Sequence, residues 1–179
     1  MSLKIGVLSL FLLVNFSVVS AAESSPTQGW GKVNMVGAII ETACAIDTVS
    51  RDQTINMGTL PISQIARDGQ GLMRPFSIRL VNCVLARQNP SLPDWHYFQI
   101  TFDGPAEAGL FGVEGDAKGV ALQLTDSLGN IARPGAPLPL GEIATKDMLL
   151  NYSLRLVSNQ QVLRAGEYSS TVKFKMDYY

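Results

Sequence analysis

The C-terminal run Tyr168-Ser169-Ser170-Thr171-Val172-Lys173-Phe174-Lys175-Met176-Asp177-Tyr178-Tyr179 decides the fold class. Val172, Phe174, Met176 and Tyr178 recur at a period of two, with Thr171, Lys173, Lys175 and Asp177 between them. Successive side chains of a strand point to opposite faces, so this row has an apolar and a polar face, as a half-buried strand requires. The same alternation recurs upstream: Phe76, Ile78 and Leu80; Phe98, Ile100 and Phe102; Val120, Leu122 and Leu124; Leu150, Tyr152, Leu154 and Leu156. Turn-forming residues separate the rows, at Asp103-Gly104-Pro105, Leu128-Gly129-Asn130, Arg133-Pro134-Gly135 and Ala165-Gly166. Only Ser63–Arg67 has helical character, and it is too short to carry weight. Short strands punctuated by turns predict an all-β, antiparallel sandwich.

Composition excludes several kinds of chemistry. The 179 residues are 46% hydrophobic, enough for a real core, and only 16% charged, against roughly 25% in an average soluble domain. Fourteen Lys+Arg against fifteen Asp+Glu leave no basic stripe for nucleic acid and no polybasic patch for an anionic membrane. One His and two Cys are too few for a tetrahedral zinc site. His96, in Asp94-Trp95-His96-Tyr97-Phe98, lacks a nucleophile-elbow motif beside it and reads as a loop or strand-edge residue. Gly109, Gly112 and Gly115 belong to a turn-rich loop, because Lys118 is followed by Gly119 and no helix follows. Trp95 and Trp30 are the two aromatic candidates for stacking on a sugar, with packing at an interface the alternative for Trp30. No enzyme activity, cofactor, metal or small-molecule substrate is expected.

The first residues read as an export signal: Lys4, an apolar run from Ile5 to Val19, and the small residues Ser20-Ala21-Ala22. The alternative is a membrane anchor, but the run falls short of the roughly 20 residues that span a bilayer, and Ser9, Asn15 and Ser17 interrupt it. Cleavage is expected after Ala22, with Ala21 the alternative, giving a signal peptide over 1–22. Export places Cys44 and Cys83 in an oxidising compartment, where two cysteines allow one intramolecular disulfide. Closing a loop of about 40 residues stabilises by about 4 kcal/mol in the chain-entropy account. Buried free thiols or an intermolecular link are the alternatives.

After a polar tail over Glu23–Gly31, Val33, Met35, Gly37 and Ile39 alternate with Lys32, Asn34, Val36 and Ala38. This is a strand near the mature N-terminus, and such a strand ordinarily pairs within its own domain.

Taken in order, several motifs carry a family likeness. They are Gln28-Gly29-Trp30-Gly31-Lys32-Val33 leading to Gly37 and Cys44; Phe76-Ser77-Ile78-Arg79-Leu80-Val81-Asn82-Cys83; Thr101-Phe102-Asp103-Gly104; Ala117-Lys118-Gly119-Val120 into Leu122-Gln123-Leu124; and Ala165-Gly166-Glu167-Tyr168 before the closing Asp177-Tyr178-Tyr179. The mature chain thereby resembles the chaperone–usher fimbrial subunits, the pilins of Gram-negative bacteria, and within them the P-pilus-like subunits. Gly129-Asn130-Ile131-Ala132-Arg133 and the Phe76–Cys83 run resemble the minor terminating subunit, whereas the N-terminal run resembles the major shaft pilin.

The resemblance implies an incomplete immunoglobulin-like sandwich over 40–179 that lacks its seventh strand, preceded by an N-terminal extension over 23–39. It implies that Val33, Met35, Gly37 and Ile39 form a donor strand inserted into the adjacent subunit. It implies that Val172, Phe174, Met176 and Tyr178 lie on the strand flanking this protein's own groove, where a periplasmic chaperone pairs first; an ordinary core strand would show the same alternation. With the sequence stopping after this strand, no seventh is expected to follow it. Partners implied are the chaperone, an outer-membrane usher and adjacent subunits, with passage through the periplasm to a cell-surface fimbrium. The expected role is a minor terminating or anchoring subunit at the fimbrial base; a shaft pilin is the alternative, and a glycan-binding adhesin subunit the weaker one.

Overall fold

The computed structural model describes residues 29–144 and 146–179; the signal peptide read over 1–22 and the start of the polar tail lie outside them. Internal contacts divide the chain after Ala38, and each unit is taken by itself. The described residues of the leading unit, 29–38, form neither helix nor strand and are exposed throughout.

From Ile39 onward the alternating rows become strands. In chain order the elements are β1 (Ala45–Ile46), α1 (Thr48–Arg51), α2 (Ile62–Asp68), β2 (Arg74–Val81), β3 (Tyr97–Asp103), β4 (Ala106–Glu107), β5 (Leu110–Phe111), β6 (Glu114–Gly115), β7 (Val120–Asp126), β8 (Ile131–Ala132), β9 (Gly141–Glu142), β10 (Met148–Ser158), β11 (Tyr168–Ser169) and β12 (Lys173–Tyr178). One antiparallel sheet runs β1-β2-β10-β7-β5-β4, with β8 also on β7. A second runs β12-β3-β9, and β11 pairs with β6 apart from both. Register brings apolar residues opposite each other: Leu154 faces Leu124 and Leu156 faces Leu122, while Phe174, Met176 and Tyr178 face Phe102, Ile100 and Phe98.

The apolar faces of the two sheets meet. Phe102 of β3 stacks edge-on against Tyr152 of β10 at 5.1 Å between ring centroids and lies 6.5 Å from Phe76 of β2. Ile78, Leu80, Ile100, Phe111 and Leu124 are fully buried around them. Burying each such side chain stabilises by about 1.5–3 kcal/mol. Cys44 and Cys83 form a disulfide that ties the chain before β1 to the end of β2.

Two local expectations need correction. The C-terminal row is not one strand from Tyr168. Its first two residues pair with β6, and β12 begins only at Lys173, so Val172 precedes it. The break has local causes: the Ser170 hydroxyl donates to the Gly112 carbonyl at 2.7 Å, and the Thr171 carbonyl lies 2.8 Å from where a side chain on Gly104 would begin. The helical hint at Ser63–Arg67 is a real helix, α2. Gly69 closes it in the left-handed conformation (φ 69°), donating its N–H to the Ile65 carbonyl at 2.9 Å. Burial of Ile65 holds this short helix where propensity alone would not.

Candidate functional site: the groove beside the C-terminal strand

β12 pairs with β3 along one edge, and among the described residues no strand pairs with the other. The hydrogen bonds at its end fix which groups face outward. Tyr97 and Tyr179 exchange both backbone bonds, at 3.0 and 2.8 Å. In an antiparallel ladder such pairs alternate with non-bonded ones, so Asp177, Lys175 and Lys173 bond to β3. The backbone N–H and C=O of Phe174, Met176 and Tyr178 therefore point to the free edge. Side chains of the same three residues pack half-buried against the core. One alternating set thus offers both apolar surface and unpaired backbone, the arrangement that templates an added strand.

The facing wall is built differently. After β1 the chain leaves the sheet through α1, whose start is capped by the Asp47 carboxylate accepting from the Val49 N–H at 3.0 Å. Side chains then take over the edge of β2: the Ser50 hydroxyl accepts from the Arg79 N–H at 3.0 Å, and the Gln53 amide donates to the Ser77 carbonyl at 2.9 Å. From Thr54 to Leu60 the chain belongs to no strand, yet Ile55, Met57 and Leu60 turn inward and pack half-buried on the core. Sequence reading missed this wall. Its only signal is the two-residue alternation of Ile55 and Met57 with Thr54 and Asn56.

Between the walls lies a cavity of about 1310 Å³. Residues 51–62 line one side and 163–174 the other, with Phe76, Phe102, Val120, Leu122, Leu124, Leu154 and Leu156 beneath. Gly166 lets the second wall approach the chain at Asp116–Ala117, where a Cβ would lie within 2.6 Å of backbone. Val172 and Phe174 line the cavity, whereas Met176 and Tyr178 continue the edge past it. Tyr178 packs edge-on to Trp95 at 6.2 Å. Burial pushes the hydroxyl pKa values of Tyr178 and Tyr168 upward.

In the leading unit, Val33 and Met35 are 86% and 91% exposed, Gly37 has no atom within 4 Å of its Cβ position, and Val36 on the opposite side is 99% exposed. Ile39, first residue of the second unit, is equally bare. Trp30 is exposed, and Trp95 is buried beneath the Arg87 guanidinium, which removes it as a sugar-stacking platform. His96 is exposed and engaged through its backbone with Tyr179 and Ile143. Among the described residues no His, Cys, Asp and Glu cluster has metal-binding geometry, and no helix is long and apolar enough to cross a membrane.

No family model matches the sequence. Similarity to individual proteins is extensive. The chain is 34% identical over 150 residues to the PRS fimbrial minor pilin protein and to the PAP fimbrial minor pilin protein, both of Escherichia coli, covering 83% of this chain and 77% of each relative. It is 28% identical over 181 residues to the major MR/P fimbria protein of Proteus mirabilis, covering 98% of this chain and 99% of the relative. Among solved structures, the P pilus rod subunit PapA superposes with a TM-score of 0.68 at 20% identity, over 77% of this chain and all of that one. A subunit of a chaperone–usher pilus rod gives 0.67 at 21% identity, over 85% and 97%. These likenesses identify the sandwich as immunoglobulin-like.

Proposed function

The chain belongs to the chaperone–usher fimbrial subunits, a structural and non-enzymatic family, and from that premise we propose that it joins a cell-surface fimbrium by exchanging strands with its neighbours. The observation that carries this reading is the free edge of β12 beside an apolar groove. The sandwich lacks its seventh strand, and a strand from another molecule completes it, as in donor-strand complementation of pilins, a known form of strand addition. A periplasmic chaperone supplies that strand first, pairing along Val172, Phe174, Met176 and Tyr178, and an outer-membrane usher delivers the subunit.

Val33, Met35, Gly37 and Ile39, in the extension over 23–39, are the strand this subunit donates. Their full exposure supports the assignment, since a row that is apolar and uncovered needs a partner. Burying Val33, Met35 and Ile39 in a neighbour contributes at most about 5–9 kcal/mol, and backbone pairing sets register. Gly37 suits a place where two backbones approach closely.

Within the fimbria the subunit is a minor terminating or anchoring one at the base. Greater identity to the two minor pilins than to the major fimbria protein supports this station. The shaft reading draws on a different feature, the roomy groove, which a shaft subunit requires to accept a second extension. Incubating the chaperone-bound subunit with a donor-strand peptide separates the two. Refusal of the peptide is the expected result, and ready exchange overturns the terminating role in favour of the shaft.

A further inference from the structure

An oxidant attacks a thioether where the sulfur is open to solvent, and the methionines of this chain differ sharply in that respect. Met57, Met148 and Met176 pack half-buried against the core, and Met148 Sδ also accepts from the Ala144 N–H at 3.2 Å. Met35 and Met73 are the exposed ones among the described residues, and Met35 is the barer, at 91% against 55%. Their settings differ too. Met73 directly precedes β2 and lines no part of the groove. Met35 stands between Val33 and Gly37 in the apolar row of the extension, the row assigned above to a neighbour's groove. Oxidation would put a strongly polar S–O bond, a hydrogen-bond acceptor, on a side chain that must leave water. A neighbour of the same fold meets it with an apolar floor, as Phe76, Phe102, Leu122, Leu124 and Leu154 make here, and such side chains offer no donor.

We infer that Met35 is an oxidation site that gates strand donation: an oxidant of the peroxide class converts its thioether to the sulfoxide, and the oxidised strand no longer seats in a neighbour. This rests on the donor-strand reading above. In the step, the Sδ lone pair forms the S–O bond as the peroxide O–O bond breaks. The sulfur loses two electrons, and the departing oxygen takes the proton of the transferred one and leaves as water. No group is lost from the protein, and methionine sulfoxide reductases reverse the change. The site is open only while the extension is unpaired, because seating in a neighbour covers the row; finished fibres are therefore spared. Donation is common to terminating and shaft subunits, so the gate serves either station.

The test treats the chaperone-bound subunit with hydrogen peroxide, removes the oxidant, and maps methionine sulfoxide by peptide mass spectrometry. Donation to an untreated adjacent subunit is then followed as heat-resistant pairs. Met35 is expected to gain oxygen before Met57, Met148 and Met176, and donation to slow by about tenfold or more, the worth of one unpaired buried polar group. A methionine sulfoxide reductase restores it. Met73→Leu, treated likewise, slows as the wild type does, whereas Met35→Leu donates at one rate before and after treatment. In assembled fibres Met73 oxidises while Met35 stays reduced. Three results overturn the inference: Met35 staying reduced in the chaperone complex, undiminished donation by its sulfoxide, or a loss that persists in Met35→Leu. The donor reading survives them if a double variant carrying Val33→Asp and Met35→Asp still fails to incorporate, and normal incorporation of that variant overturns both.

Discussion

The Tyr178 hydroxyl donates a hydrogen bond to the Cys44 carbonyl at 3.3 Å, joining the last strand to the first cysteine. The contact spans 134 positions and closes the sandwich beside the disulfide. Tyr178→Phe removes the bond and leaves the carbonyl without this donor while the ring still packs on Trp95. The expected cost is about 1 kcal/mol, read as a lower denaturant midpoint of the strand-complemented subunit. Tyr178→Ala also removes the packing and costs more, about 2–3 kcal/mol for a half-buried ring. Equal effects of the two variants would mean that the ring contributes nothing.

Arg87 offers a second, independent test. Its guanidinium carbon lies 3.6 Å from the Trp95 ring centroid, while the nearest carboxylate oxygen of Glu41 is 3.8 Å from its Nε. Stacking on a desolvated ring contributes about 1–2 kcal/mol, and lysine lacks the planar group that makes it. Arg87→Lys should therefore lie nearer Arg87→Met than the wild type in stability. The loss should persist at high salt, because screening weakens the ion pair more than the stack. Tryptophan fluorescence reports it: Trp95 is buried and Trp30 exposed, so the blue-shifted component tracks this site.

How much of this was legible in the sequence follows from where each signal resides. Phe98, Ile100 and Phe102 announce β3 because alternation is a property of the residues themselves. The length of β12 was less legible, because its start depends on Ser170 meeting Gly112, 58 positions away. The groove wall at Thr54–Leu60 was nearly silent, since a segment outside any sheet needs only two or three inward residues. Both cysteines were found, yet their pairing was one of three alternatives until the fold brought them together.

Alkaline pH should weaken the fold through its tyrosines. Burial, with a smaller contribution from Asp126, raises the Tyr152 pKa well above its ordinary value of 10.0, and burial raises Tyr168 and Tyr178 as well. Below pH 10 these groups are neutral in both folded and unfolded chains. Above it the unfolded chain loses protons that the folded one keeps, so stability falls as pH rises. Denaturant midpoints should be level from pH 7 to about 9 and decline beyond the ordinary tyrosine value. Tyr152→Phe should flatten that decline without changing its onset. An unchanged slope would show that Tyr152 ionises freely.

Substituting the extension tests donation separately from acceptance. Val33→Asp with Met35→Asp places two carboxylates where the proposed strand enters a neighbour's apolar groove. Burying an unpaired charge costs several kcal/mol per ion even after relaxation, which exceeds the roughly 1.5–3 kcal/mol that each apolar side chain contributes there. Both residues are exposed here, so the subunit's own folding and its chaperone complex should be unaffected. Incorporation into fibres should be lost, as read by heat-resistant ladders and immunogold labelling of the cell surface. Swapping Val36→Asp supplies the control, because Val36 lies on the opposite side of the alternation and should tolerate the charge. Normal incorporation of the double variant, or equal loss with Val36→Asp, would remove Val33 and Met35 from the donor strand.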